Sequence, residues 1–223
     1  MYKLLINCAI LIIWGLSCEP EGQVAGKAVP IVHEQKSLYF SKQAGIAYDI
    51  RNSKGVILAH LAGGVSKRLS LYDECGDIRA VFSFNGTLSS NLSNIQPLAK
   101  NTDRYLLAFN CIGITDKYYK VIVNENSKDV KYIKVKDTSF QLKTWPGYIL
   151  TCFSVYFDFE DNPLKSSPSD NAKEIFYSKD GIYHPVKFQG YWVQLKWGDE
   201  TNWHYGWVRW RKNNALILEL LNN

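Results

Sequence analysis

The sequence predicts an all-β protein, and three observations carry that prediction. Aromatic residues make up 14% of the 223 residues, with 14 Tyr, 10 Phe and 7 Trp against a single Met. Such a composition suits pleated, half-buried surfaces more than helices. Beyond about residue 37, apolar stretches of strand length alternate with Gly- and Asn-containing turn signals. Helix-forming runs are scarce: the best is 170–175, and Thr144-Trp145-Pro146-Gly147 reads as a corner more than a cap. The 46% hydrophobic content is that of a chain that buries a core, so disorder is excluded as the main state. A formal net charge of +5, from 26 basic and 21 acidic side chains spread along the chain, forms no basic stripe and excludes nucleic acid from the expected partners.

The first segment differs from all that follows. Lys3 precedes an almost continuously apolar run, 4–14, which leads to Gly15-Leu16-Ser17-Cys18. The run is well short of the roughly 20 residues that a membrane-crossing helix needs, so it reads as a cleaved export signal over 1–17. A small residue followed by Cys at its end resembles a bacterial lipobox, with Gly15 where that family prefers Leu. The resemblance implies cleavage before Cys18 and acylation of its thiol. Acyl chains would then hold the protein on a membrane, at about 0.8 kcal/mol per buried methylene. An ordinary signal peptide and a secreted product form the alternative. Residues 18–36, polar and Gly/Pro-containing without periodicity, read as the lipidated Cys and a flexible tether.

The elements that follow are strands: 37–40, 46–50, 56–61, 78–84, 105–112, 118–123 and 132–135. Turns fall at Asn52-Ser53-Lys54-Gly55, Gly63-Gly64, Asn85-Gly86 and Asn124-Glu125-Asn126, where Gly and Asn tolerate left-handed backbone. The Ser- and Asn-rich stretch 87–103 reads as a long loop. With Cys8 and Cys18 set aside, Cys75, Cys111 and Cys152 are an odd number for an oxidising compartment, and one disulfide with one buried thiol stays open. Cys152, inside the apolar run 148–157, reads as structural.

From about 161 the pattern becomes specific. Asn162-Pro163-Leu164-Lys165-Ser166-Ser167-Pro168-Ser169 is followed by Lys173-Glu174-Ile175, Lys179-Asp180-Gly181, Gly190-Tyr191-Trp192-Val193-Gln194-Leu195 and Tyr205-Gly206-Trp207-Val208-Arg209-Trp210. In order and spacing this resembles the bacterial SH3-like domain, a small bent β-barrel. The resemblance implies an opening strand at Leu164 and Lys165 with a turn at Pro168, then a Gly-containing turn at Gly181. It further implies a Gly-x-Trp strand at Gly190 and Trp192, a Gly-Trp-Val strand at 206–208, and an apolar closing strand at 216–220. The chain departs from the family at Lys165, where the family carries Arg, and in a longer hairpin, 196–204. A weaker internal similarity, over 118–145 with Leu69-Ser70-Leu71-Tyr72-Asp73 as opening strand, implies a second such unit from about 66 to 148. The expected architecture is therefore small SH3-like β-barrels, two in tandem, with a β domain over 37–157 and an SH3-like domain over 158–223.

Alternation gives the same segment a bottom-up reading. In 191–197 the odd-numbered residues are all apolar, and Gln194 and Lys196 share the other face with Trp192. In 205–210, Val208 and Trp210 face opposite to Tyr205 and Trp207, so this strand is apolar on both faces and needs a second core or a binding surface. Trp192 and Trp207 read as core. Tyr191, Trp197, Trp203 and Tyr205, in or beside the hairpin, read as exposed ligand-binding aromatics.

Catalytic chemistry is not evident. The four histidines, His33, His60, His184 and His204, are scattered, and Asp158, Glu160, Asp161 and Asn162 lack the Gly and Glu of a calcium loop. No Cys precedes an amphipathic helix, and acidic neighbours of Cys75 would raise its pKa. No catalytic residue, metal or cofactor is therefore expected. The sequence reads as a non-enzymatic, lipid-anchored protein of the bacterial cell envelope whose SH3-like modules bind peptidoglycan peptides or a protein partner. A cell-wall hydrolase, or its degenerate relative, using the N-terminal half is the alternative.

Overall fold

A computed structural model describes residues 48–59, 67–84, 88–90, 95–101, 106–176, 178 and 181–222. The expected signal, tether and first strand, together with Cys18, His33 and His60, lie outside the described residues. The chain is all-β. In order it forms β1 (Tyr48–Asp49), β2 (Gly55–Ala59), β3 (Lys67–Tyr72), β4 (Ile78–Phe84), β5 (Leu88–Ser90), β6 (Ala99–Asn101), β7 (Leu106–Ile114), β8 (Tyr118–Asn124), β9 (Asp129–Lys134) and β10 (Phe140–Lys143). The helix α1 (Trp145–Ile149) follows, then β11 (Ser154–Tyr156), β12 (His184–Gln189), β13 (Trp192–Asp199), β14 (Asn202–Arg209), β15 (Arg211–Lys212), β16 (Ala215–Leu216) and β17 (Glu219–Leu221). No described helix is long and apolar enough to cross a membrane.

Nine of these strands make one sheet in the order β10-β2-β7-β8-β9-β3-β4-β5, with β6 added beside β7. β2 and β7 are buried on both faces, which is why they read as continuous apolar runs. On one side Ile57, Leu107, Phe109 and Cys111 join Leu69, Leu71, Phe82, Val121 and Ile133 in one hydrophobic cluster. On the other side Val56 and Ala108 join a second cluster. The sheet is continuous between β9 and β3 through the single pair Tyr132↔Tyr72, so it folds over the first cluster without closing into a barrel.

The second cluster crosses the boundary drawn at 157/158. It takes Trp145, Tyr148, Ile149 and Cys152 from α1 and its C-terminal turn, and Leu164, Tyr183, Val193, Leu195, Trp197, Val208 and Trp210 from the C-terminal segment. Strand pairing crosses the same boundary, because β1 pairs β16 and β11 pairs β17. All described residues belong to the unit Glu34–Asn223.

Three local expectations are corrected. The corner at Thr144 is a helix cap: its hydroxyl accepts a hydrogen bond from Gly147 N (3.2 Å) and Pro146 stands in the first turn, where its missing N–H costs nothing. Residues 170–175 are instead irregular, because Glu174 forms a bridge to Lys165 that fixes extended backbone there. The stretch 87–103 is not all loop: it supplies β5 and β6, and Ala99 of β6 is fully buried opposite Ala108.

Candidate functional site

The C-terminal sheet has the order β12-β13-β14. Its first turn is Gly190-Tyr191, between the pair Gln189↔Trp192, and Gly190 has φ +57°. Glycine at the first position of a two-residue hairpin accepts that backbone at little cost. The second turn is Glu200-Thr201, between the pair Asp199↔Asn202. Here the Asp199 carboxylate accepts hydrogen bonds from Thr201 Oγ1 (2.5 Å), Thr201 N (2.9 Å) and Asn202 N (3.1 Å). The Thr201 hydroxyl above all holds the Asp199 carboxyl below its ordinary value of 3.8, so the tip stays anionic.

Pairing from Trp192↔Arg209 to Asp199↔Asn202 is unbroken, so side-chain parity holds along the whole hairpin. Val193, Leu195 and Trp197 face the core with Val208. Trp192, Gln194 and Lys196 face outward with Trp203, Tyr205, Trp207 and Arg209. β12 joins this outer face through His184↔Lys196 and, after a bulge between Pro185 and Lys187, through Lys187↔Gln194. On the far side Lys165 and Trp207 exchange two backbone hydrogen bonds of 2.8 Å, which adds Lys165 and then Glu174 to the surface. Gly206 permits this approach: a Cβ there would stand 2.8 Å from Leu164 Cδ2 and Ile175 Cδ1. Asn162, buried, fixes the end of β14, donating from Nδ2 to Arg209 O (2.8 Å) and accepting from Arg209 N (3.0 Å).

On the outer face each indole lies under a cation. Lys196 Nζ is 4.5 Å from the Trp203 centroid, Lys187 Nζ is 5.5 Å from that of Trp207, and the Arg209 guanidinium carbon is 4.8 Å from that of Trp192. Cations over indole faces are attracted by the ring quadrupole. Trp192 and Trp207 are thereby buried to 8% and 7% exposure, although they point away from the core cluster. Arg209 is ion-paired with Asp170 and Lys165 with Glu174 (2.9 Å), whereas among the described residues neither Lys187 nor Lys196 is in an ion pair.

The four expected ligand-binding aromatics therefore separate. Trp203, half-buried, and Tyr205, 51% exposed, meet on the outer face beside Lys196. Trp197 does not belong with them: it is 5% exposed, packs on Tyr183 (5.3 Å between centroids) and is a core residue. The reason is that 196–204 is regular hairpin almost to its tip, so parity turns Trp197 inward. Tyr191 is 51% exposed but sits at the opposite end of β13, where Arg211 lies between its ring (4.7 Å) and that of Trp210 (4.9 Å). Sequence reasoning missed Lys187, Arg209 and Asp170. Alternation could have found Arg209, but the bulge in β12 hides the parity of Lys187.

Burial pushes the Cys152 thiol up to about 12 and raises that of Cys111. Cys75 is exposed, and none of the three forms a disulfide. His184 Nδ1 lies 2.6 Å from the Phe153 carbonyl, which can only accept, so this nitrogen donates. Among the described residues no group of three or more His, Cys, Asp or Glu side chains could hold a metal ion. Fold and site together define an all-β protein that displays a cation-capped indole face. Comparison with models of protein families, with curated proteins and with solved structures finds no match to this chain.

Proposed function

We propose that the protein is a non-enzymatic, lipid-anchored component of the bacterial cell envelope, held at Cys18, whose C-terminal SH3-like segment over 158–223 binds peptidoglycan peptides. The observation that carries the binding role is the outer face of β12–β14, where Lys187, Lys196, Trp203 and Tyr205 share one face of a three-stranded sheet without serving the core. Aromatic and basic residues fixed on regular strands are what recognition sites are built from. The SH3-like reading is supported by the Leu164-Lys165 segment lying antiparallel to the Gly206-Trp207-Val208 strand, beside a three-stranded meander. A second unit from about 66 to 148 would have to draw its strands from the nine-stranded sheet. The non-enzymatic reading is supported by the burial of Cys111 and Cys152, whose raised pKa values keep them protonated and poorly nucleophilic.

Co-sedimentation with purified peptidoglycan tests the binding role. The mature protein should pellet with the sacculi, and a Lys187→Gln/Lys196→Gln variant of unchanged melting temperature should not. Pelleting of both alike would reject this face as the site. Fractionation of cells expressing Cys18→Ala tests the anchor: a folded protein retained in the membrane would reject it.

A further inference from the structure

The way the rings of the outer face are covered specifies what it can bind. A neutral sugar stacks on a free aromatic face, yet Trp192 and Trp207 keep only 8% and 7% exposure beneath Arg209 and Lys187. The Trp203 ring is likewise capped by Lys196 at 4.5 Å, which leaves Tyr205 as the one largely open ring of this face among the described residues. What the surface offers to solvent is the cations. Asp170 neutralises Arg209 and Glu174 neutralises Lys165, so its uncompensated positive charge is concentrated at Lys187 and Lys196.

We infer that this face recognises carboxylates of an extended acidic peptide, the indoles serving to hold the two ammonium groups in place. The inference rests on the binding role proposed above and names the chemistry of its ligand. Lys187 and Lys196 are diagonal neighbours on adjacent strands, because Lys187 pairs with Gln194, two residues from Lys196. Such positions are about 7–8 Å apart. The ammonium groups themselves lie over Trp207 and Trp203, four residues apart on β14, so an extended peptide, rising about 3.3–3.4 Å per residue, can reach both along one edge. Holding each ammonium over a ring reduces the side-chain freedom lost on binding, and desolvation by the ligand strengthens both charge pairs.

The test is a titration of the mature protein with soluble cell-wall stem peptides in two forms, one with free carboxyls and one with the same carboxyls amidated. A glycerol phosphate polymer serves as a third probe. The free-acid peptide should bind roughly tenfold or more tightly than the amidated one, and added salt should weaken it. Lys187→Gln and Lys196→Gln should each remove most of that preference, while Lys196→Arg, which keeps charge and ring stacking, should retain it. Equal binding of free and amidated peptides would overturn the inference and leave the peptidoglycan reading intact. Binding of neither peptide would overturn both. Preference for the phosphate polymer over the free-acid peptide would overturn the peptide assignment.

Discussion

Two surfaces of this protein are built from aromatic rings under lysines, and they differ in what lies beneath them. On the nine-stranded sheet, Tyr72, Tyr118 and Tyr132 contact one another at 6.3 Å and 6.1 Å, with Lys134 Nζ 4.3 Å from the Tyr72 centroid and Lys120 Nζ 6.0 Å from that of Tyr132. This patch stands where β9 and β3 are joined by one residue pair, Tyr72↔Tyr132 itself. Its rings bridge a seam that backbone pairing barely holds. On the outer face of β12–β14 the pairing of β13 with β14 runs unbroken over eight residue pairs. The rings there are not needed to join strands, and two of the cations over them, Lys187 and Lys196, are in no ion pair among the described residues. The same pairwise chemistry is structural where the ladder is weak and available for recognition where the ladder is strong.

The largest effect should come from parity within the hairpin. Trp197→Ala should destabilise by about 3–5 kcal/mol, as for other truncated core aromatics, whereas Trp203→Ala should cost about 1 kcal/mol or less. Chemical denaturation of the two variants measures both, and similar losses would contradict the assignment of faces. Next, Tyr132→Ala should cost about 1–2 kcal/mol by removing ring contacts across the seam, while Lys187→Gln should shift stability by no more than about 0.5 kcal/mol. A neutral Tyr132→Ala would erase the distinction between the two surfaces.

Smaller effects come from titration. Burial raises the Cys152 thiol to about 12 and lifts Cys111 above its usual 9.0, so both stay protonated at pH 8, and only above about pH 9, where the unfolded thiols ionise, do they oppose folding. A thiol reagent at pH 8 should label exposed Cys75 rapidly and reach Cys111 and Cys152 only after denaturant is added; rapid native labelling of Cys152 would reject its burial. The Asp199 carboxyl is depressed below 3.8 in the folded protein, so its contribution is present above the unfolded value and lost as pH falls through the folded one. The melting temperatures of wild type and Asp199→Ala should therefore differ at pH 7 and converge towards pH 2, and a constant gap would show that the turn does not depend on the charge.

What was legible in the sequence was local. The period-two pattern of 191–197 gives β13 from Trp192, the apolar run expected at 105–112 gives β7 from Leu106, and 78–84 is β4 itself. The hairpin tip misled because Trp197-Gly198-Asp199-Glu200-Thr201-Asn202 is rich in turn formers. Only two of those residues form the turn, since the Asp199 side chain caps it and the ladder continues to the cap. Lys187 was invisible because a bulge after Pro185 resets the alternation. The sharing of one core between α1 and the C-terminal sheet is a long-range packing event that no local pattern encodes.

A ligand held by the C-terminal lysines, and not by those of the tyrosine seam, should leave a chemical footprint on the first pair alone. Acetylation of the mature protein followed by mass spectrometry, with and without saturating free-acid stem peptide, reads this directly. Lys187 and Lys196 should become protected on binding while Lys120 and Lys134 react as before. Protection of Lys120 and Lys134, with Lys187 and Lys196 unchanged, would contradict that placement of the ligand.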